Sequence, residues 1–274
     1  MTAEKLTWVI FSDVDGTLTD AQTYRWEAAA GALRQVMARP IPLVLCSSKT
    51  RQELEYYRRL WHIPDPFIVE NGSAIFVPPA YFPFAFPYQR EANGYQVIEL
   101  GAPAEAIWLA LASIRRQTGL TLEGYRDLTP AEVGRLTGLA PVAARRARQR
   151  EYSETIVTPL AAEQLAQLQA HLAEMGLAIT AGDRFYTITS AASDKGQAVT
   201  LLTELFQRKL GHVITVGIGD AANDLPLLAA VDRPYLVQQF DGRWLETAGR
   251  PVERVAGVGP AGWAQVIHQL IHDD

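Results

Sequence analysis

The stretch "FSDVDGTLTD" (residues 11–20) sets two aspartates, Asp13 and Asp15, two residues apart at the end of the apolar run "WVIFS" (8–12), and follows them with Gly16 and Thr17. The run reads as a buried strand that opens into a turn. Two carboxylates side by side repel one another unless a cation or a proton lies between them. The stretch is therefore either a solvated turn or part of a ligand site, and the surrounding chain decides which.

Outward from this point, strands and helices alternate. A helix is expected over about 24–37, ended by Pro40 and Pro42, then a buried strand "LVLC" (43–46), then loop and helix in "SSKTRQELEYYRRLWHI" (47–63). "FIVE" (67–70) reads as a third strand, and "AIFVP" (74–78), after Asn71-Gly72, as the return arm of a hairpin. The far end repeats the pattern, with a helix in "DKGQAVTLLTELFQRKLG" (194–211) stopped by Gly211, a strand "VITVGIGD" (213–220), a helix "NDLPLLAAV" (223–231) and a strand "PYLVQ" (234–238). This alternation predicts an α/β fold, a parallel sheet with helices on both faces. From about 88 to 188 the pattern changes. Strands such as "YQVIEL" (95–100) and "RFYTIT" (184–189) alternate polar and apolar, with helices at 103–118 and 159–175, as expected of an inserted α+β domain. "PPAYFPFAFP" (78–87) is the expected linker. The division read from the sequence is a core of 1–86 and 189–274 with an insert of 87–188.

The bulk properties agree with such an organisation. A chain of 274 residues accommodates one core and a modest second domain, and 48% apolar residues suffice for a real core. A formal net charge of −5 gives no argument for a nucleic-acid partner. Cys46 is the single cysteine, so no intramolecular disulfide forms and a reducing compartment is expected. "MTAEKLTW" (1–8) lacks the regions of a signal peptide, and no apolar run approaches the roughly 20 residues of a membrane helix. The expectation is a cytoplasmic protein with neither nucleic acid nor membrane as partner.

Ligands of a parallel sheet collect at the carboxyl ends of its strands. Four stretches bring polar residues there: Asp13 and Asp15; Ser47, Ser48 and Lys49; Asp194 and Lys195; and Asp220, with Asn223 and Asp224 a turn later. Three or four carboxylates around one point suit a hard cation, and Mg2+ in particular. A lysine and a hydroxyl beside it suit a phosphate. Ordinary readings stand beside these: Ser47 as a helix N-cap, Lys195 as a surface lysine, Asp224 as a cap, Asn71-Gly72 as a hairpin turn only.

"DVDGT" (13–17), the hydroxyl residue after the second strand, the lysine of "DKG" (194–196) and "GDAAND" (219–224) occur in the order that characterises the haloacid-dehalogenase-like (HAD) phosphatases, and the chain resembles that family. An insert after the third strand resembles its Cof-type or IIB branch, whose Rossmann-like core carries a large C2-type α/β cap. The resemblance implies roles. Asp13 is then the nucleophile that forms an aspartyl-phosphate, and Asp15 the general acid, its backbone carbonyl also ligating the metal. Ser47 or Ser48, with Lys195, binds the phosphate. Asp220 is a direct metal ligand, and Asp224 a further ligand or an anchor. The implied metal set is Asp13, Asp15, Asp220 and Asp224.

Within the branch, "SSKTRQEL" (47–54), "PFIVENGSAIFVP" (66–78), "REYSETI" (150–156) and "GDAANDLPLLAAVDRPYLVQ" (219–238) resemble the mannosyl-3-phosphoglycerate phosphatases, while 100–147 matches loosely. The implied substrate is a small phosphorylated sugar derivative, a sugar joined to a phosphorylated, carboxylated three-carbon acid, with a mannosyl or a glucosyl group. Candidate contacts to it are Lys49 and Asn71 from the core and Arg148, Arg150, Glu151 and Ser153 from "RQREYSE" (148–154). "ARRARQR" (144–150) reads equally as a helix with a solvated basic face. Other readings are a phosphatase for sucrose, trehalose or hexose phosphates, a phosphomutase, and a non-catalytic sugar-phosphate sensor. A dehalogenase is disfavoured because its chemistry has no need of Asp15.

Overall fold

The structure is a computed structural model and describes residues 7–182, 184–247, 249 and 251–272. Most of the "MTAEKLTW" reading, and the last two residues of the expected core, lie outside the described residues. In chain order the first half comprises β1 (Thr7–Ser12), α1 (Ala30–Met37), β2 (Leu43–Cys46), α2 (Arg51–Trp61), β3 (Phe67–Val69), β4 (Ala74–Val77), β5 (Arg90–Ala92), β6 (Tyr95–Glu99) and α3 (Ala104–Thr118). There follow α4 (Pro130–Thr137), α5 (Pro141–Ala147), β7 (Glu154–Ile156), α6 (Ala162–Glu174), β8 (Leu177–Ala181) and β9 (Tyr186–Ser190). The chain then returns through α7 (Lys195–Leu210), β10 (Val213–Gly219), α8 (Leu225–Ala229), β11 (Arg233–Gln238), β12 (Glu253–Val258) and α9 (Pro260–His272).

The large sheet has the order β12-β11-β10-β1-β2-β3-β4-β6-β5. It is parallel from β12 to β3 and antiparallel from there to β5. β1 is apolar from Trp8 to Phe11 because both of its faces are covered. Trp8 and Ile10 pack into one layer with α1 and α9, and Val9 and Phe11 into the other with Val199, Leu202 and Phe206 of α7. This two-sided covering of a period-two strand is the α/β architecture expected.

Between β6 and α7 the chain builds a second, three-stranded antiparallel sheet of order β7-β9-β8. α3 and α6 close its core through Ile107, Leu111, Ile114, Leu168 and Leu172.

Three expectations change. The strand in "YQVIEL", expected in the insert, is β6 of the large sheet. It pairs with β4 (Ile75 opposite Ile98), and Val97 and Ile98 enter opposite core layers. The helix expected over about 24–37 begins only at Ala30. Before it, the Asp20 carboxylate accepts from the backbone N–H groups of Gln22 and Thr23 and from the Thr23 hydroxyl, which holds a turn where a helix would otherwise start. The basic run 144–150 is helical only to Ala147.

Candidate active site

The backbone N–H of Asp13 donates to the Ile218 carbonyl (3.0 Å), so the ladder between β1 and β10 runs one step past β1 and delivers Asp13 beside the residues after Gly219. The chain then turns at Gly16, where φ is +79°. A Cβ there would lie 2.5 Å from Oδ2 of Asp220, so the turn requires glycine on two counts. Thr17 donates its hydroxyl to Oδ1 of Asp220 (2.7 Å). Oxygens of Asp13, Asp220 and Asp224 lie within 4.8 Å of one another, and all three residues are buried. Such a set of hard oxygen donors fits a divalent cation such as Mg2+.

Lys195, the first residue of α7, is buried, which removes the reading as a surface lysine. Its Nζ stands 2.8 Å from Oδ1 of Asp13 and 2.6 Å from Oδ1 of Asp224. Burial, reinforced by the Asp224 carboxylate, pushes Asp13 up to about 7 against the opposing pull of Lys195. Burial would lower Lys195, but the two carboxylates outweigh it and hold the ammonium well above the ordinary lysine value. The other oxygen of Asp224 accepts from the backbone N–H groups of Asp220 and Ala221, both at 3.0 Å. Asp224 thus braces its own turn as well as facing the cluster.

The loop after β2 supplies the neighbouring wall. Thr50, not Ser47, caps α2: its hydroxyl accepts from the Glu53 N–H while the Glu53 carboxylate accepts from the Thr50 N–H. The Ser47 hydroxyl is left buried without a hydrogen-bond partner among the described residues. Lys49 stands 2.7 Å from Oδ2 of Asp15 and 3.6 Å from Glu53. Burial lowers its affinity for the proton, yet Asp15 and Glu53 more than compensate and raise it well above the usual range. The Oδ1 of Asn71 accepts from Nδ2 of Asn223 (3.1 Å), joining the hairpin after β3 to the segment after β10.

Several of these side chains border a cavity of about 340 Å³. Its floor includes Asp13, Asp15, Ser48, Lys49, Asn71, Asp220 and Asn223; its roof includes Tyr125, Arg150, Thr155, Arg184 and Thr187. Of the candidates from "RQREYSE", Arg150 borders the cavity. It donates to the Ser48 carbonyl (3.1 Å) and to the Ser153 hydroxyl (3.0 Å), and its Nε is buried without a partner among the described residues. The other three do not border it and have partners elsewhere. Arg148 donates to the carbonyls of Tyr125 and Arg126. Glu151 pairs with Arg51 (2.7 Å) and Arg90 (3.1 Å). Ser153 donates to the Glu70 carboxylate. Sequence reasoning missed Tyr24, Tyr125 and Arg184, all three of which line the cavity. Arg184 belongs to a stretch read only as strand, and Tyr125 to the region without a clear pattern.

A parallel sheet with a buried acidic cluster and a lysine at its strand ends is an arrangement suited to metal-assisted phosphoryl transfer. A profile of haloacid dehalogenase-like hydrolases matches residues 10–81 and 144–249, and the chain belongs to that family. It is 39% identical over 264 residues to a glucosyl-3-phosphoglycerate/mannosyl-3-phosphoglycerate phosphatase of Methanococcoides burtonii, covering 96% of this chain and 97% of that one. It is 37% identical to a mannosyl-3-phosphoglycerate phosphatase of Pyrococcus horikoshii, covering 84% and 90%. Among solved structures, a HAD-superfamily phosphatase from Bacteroides thetaiotaomicron superposes with a TM-score of 0.64 at 17% identity, over 99% of this chain and 97% of that one, a likeness of fold. The protein is accordingly an enzyme of the phosphoric monoester hydrolase class. No helix of the described residues is long and apolar enough to cross a membrane.

Proposed function

We propose that the protein releases phosphate from mannosyl-3-phosphoglycerate, and also from the glucosyl analogue, in a Mg2+-dependent reaction through an aspartyl-phosphate. The observation that carries this reading is the cavity itself: Asp13, Asp15, Asp220, Ser48 and Lys49 border its floor, Lys195 is buried against Asp13 beneath it, and Arg150 and Arg184 border its roof. That is a site for a molecule with a phosphate and a second anionic group. The names of the two relatives support the same substrate.

Asp13, Asp220 and Asp224, with the backbone carbonyl of Asp15, would hold the Mg2+, which on binding neutralises phosphate charge and fixes its alignment. The Asp13 carboxylate attacks phosphorus as the ester P–O bond breaks, and Asp15 gives its proton to the departing alcohol oxygen. Asp15 then takes a proton from the water that attacks the aspartyl-phosphate, which frees inorganic phosphate and restores Asp13. Ser47, Ser48 and Lys195 bind the phosphate oxygens. Lys49 and Asn71 face the leaving alcohol, and Arg150 takes the glycerate carboxylate.

A panel of mannosyl- and glucosyl-3-phosphoglycerate with mannose, sucrose, trehalose and glucose phosphates, scored by phosphate release with Mg2+ and with excess chelator, tests the proposal. The expected result is preference for the two glycosyl-phosphoglycerates, abolished by chelator. Preference for a simple hexose phosphate, or transfer of phosphate between two positions of one sugar without release, would replace the proposal with another sugar phosphatase or a mutase.

A further inference from the structure

Glu70 is buried at 0% exposure, and no step above uses it. Its backbone is in the left-handed region (φ +48°), followed by Asn71 (+60°) and Gly72 (+94°). Residues that carry a Cβ enter that region reluctantly, and surrounding contacts must hold them there. The contacts are present. The Glu70 N–H donates to the Lys49 carbonyl and the Asn71 N–H to the Ser47 carbonyl, both at 3.0 Å. A Cβ on Gly72 would lie 2.0 Å from the carbonyl oxygen of Asp194, the residue before Lys195. The turn is therefore clipped to the loop that carries Ser47, Ser48 and Lys49, and to the start of α7.

Its side chain reaches the other way. The carboxylate accepts from the N–H groups of Glu151 (2.9 Å) and Tyr152 (3.1 Å) and from the Ser153 hydroxyl. Ser153 in turn accepts from Arg150, which also donates to the Ser48 carbonyl and lies over the Tyr125 ring. A closed circuit results, from Glu70 through Ser153 and Arg150 to Ser48 and back along the loop. A buried carboxylate is a costly way to hold two segments together where apolar packing would serve, and fixing a register is the use for which such groups are best attested.

We propose that Glu70 is a positioning residue for substrate discrimination: by gripping residues 151–153 it sets where Arg150 stands over the phosphate-binding loop. The separation between the phosphate end and the carboxylate end of the cavity then follows from Glu70, and only an ester with its second anion at that separation gains both contacts. This rests on the reading of Arg150 given above.

The test compares wild type, Glu70→Gln, Arg150→Ala and the double variant, as full-length enzyme with Mg2+, on mannosyl-3-phosphoglycerate and on p-nitrophenyl phosphate. Glu70→Gln should raise KM for the glycosyl-phosphoglycerate about tenfold and change the aryl phosphate by less than about twofold. In the Arg150→Ala background it should add less than about twofold, because Glu70 acts through Arg150. Equal losses on both substrates, or additive effects in the double variant, would overturn the proposal. Amide hydrogen exchange of residues 150–153 gives a readout that needs no substrate. It should accelerate in Glu70→Gln and in the milder Ser153→Ala while β1 stays protected, and unchanged exchange would overturn the proposal as well. Should Glu70→Gln not fold, Ser153→Ala carries both comparisons, with about a threefold effect on KM. Failure of the wild type on glycosyl-phosphoglycerates would remove the proposed substrate; the exchange result would still decide Glu70.

Discussion

At the scale of residues, the groups legible in the sequence were those whose meaning is local. Asp13, Asp15 and Asp220 follow apolar strands directly, and Lys195 opens a well-marked helix, so the sequence alone places them at one edge of the sheet. The partners of Arg148, Glu151 and Ser153 are not legible because they lie far along the chain. Nothing near residue 151 reveals Arg51 or Arg90, and nothing near 153 reveals Glu70. Asp15 offers a test at this scale. Its carboxylate is held by Lys49 at 2.7 Å and receives the Thr19 hydroxyl at 3.2 Å, while its proposed part in metal binding uses only the backbone carbonyl. Asp15→Asn should therefore lower kcat by at least about a hundredfold, the size typical of a lost general acid, with little change in the Mg2+ concentration for half-maximal activity. Titrating wild type and variant with Mg2+ checks it; a variant that loses metal affinity but regains full kcat at saturating metal would contradict the assigned role.

At the scale of elements, strong punctuation made α2, α3, α6 and α7 readable, and weak or shared patterns hid the rest. β6 mixes polar and apolar residues, with only Val97 and Ile98 fully covered, so its pattern does not distinguish the margin of the large sheet from the insert. α4 and α5 are eight and seven residues long, too short for a clear helical period. β12 and α9 received no assignment, yet α9 braces the catalytic strand from beneath. The indole N–H of its Trp263 donates to the Ser12 hydroxyl (3.0 Å), which donates to the Asp13 carbonyl (2.7 Å). Trp263 is fully buried in the layer that contains Trp8 and Ile10. Trp263→Ala should cost about 3–5 kcal/mol by the loss of that packing, and Trp263→Phe about 1 kcal/mol, chiefly the hydrogen bond to Ser12. Urea unfolding with unchanged m-value reads both differences. Equal costs would show that the hydrogen bond, rather than the ring's packing, holds α9 in place.

At the scale of the whole molecule, the parallel strands from β11 to β3 and the hairpin return β4 are legible, and β12 at one margin and the extension through β6 to β5 at the other are not. The alternation of strands and helices ends at β3, and the chain beyond it has the pattern of an insert on either side of the true turn-off. The roof over the cavity comes from the chain between β6 and α7, and under the proposed function this is where one alcohol would be told from another. A roof that closes over the site also keeps bulk water from the reacting phosphorus until the alcohol leaves. Arg150→Ala should lower kcat/KM for a glycosyl-phosphoglycerate by roughly tenfold to a hundredfold, the worth of a charge-assisted contact. It should change a small aryl phosphate, whose leaving group carries no carboxylate, far less. Equal losses on both would mean that Arg150 supports the roof through Ser48 and Ser153 without reading the substrate.

The central claim is that Asp13 carries the phosphoryl group in turnover, and acid quenching in the first turnover tests it most directly. Wild-type enzyme mixed with mannosyl-3-phosphoglycerate and Mg2+, stopped in acid and digested, should yield one phosphoryl group on the peptide that contains Asp13. Asp13→Asn should yield none there and should release phosphate several orders of magnitude more slowly. Near-wild-type phosphate release by Asp13→Asn, or a phosphoryl group trapped on any other residue, would contradict the account.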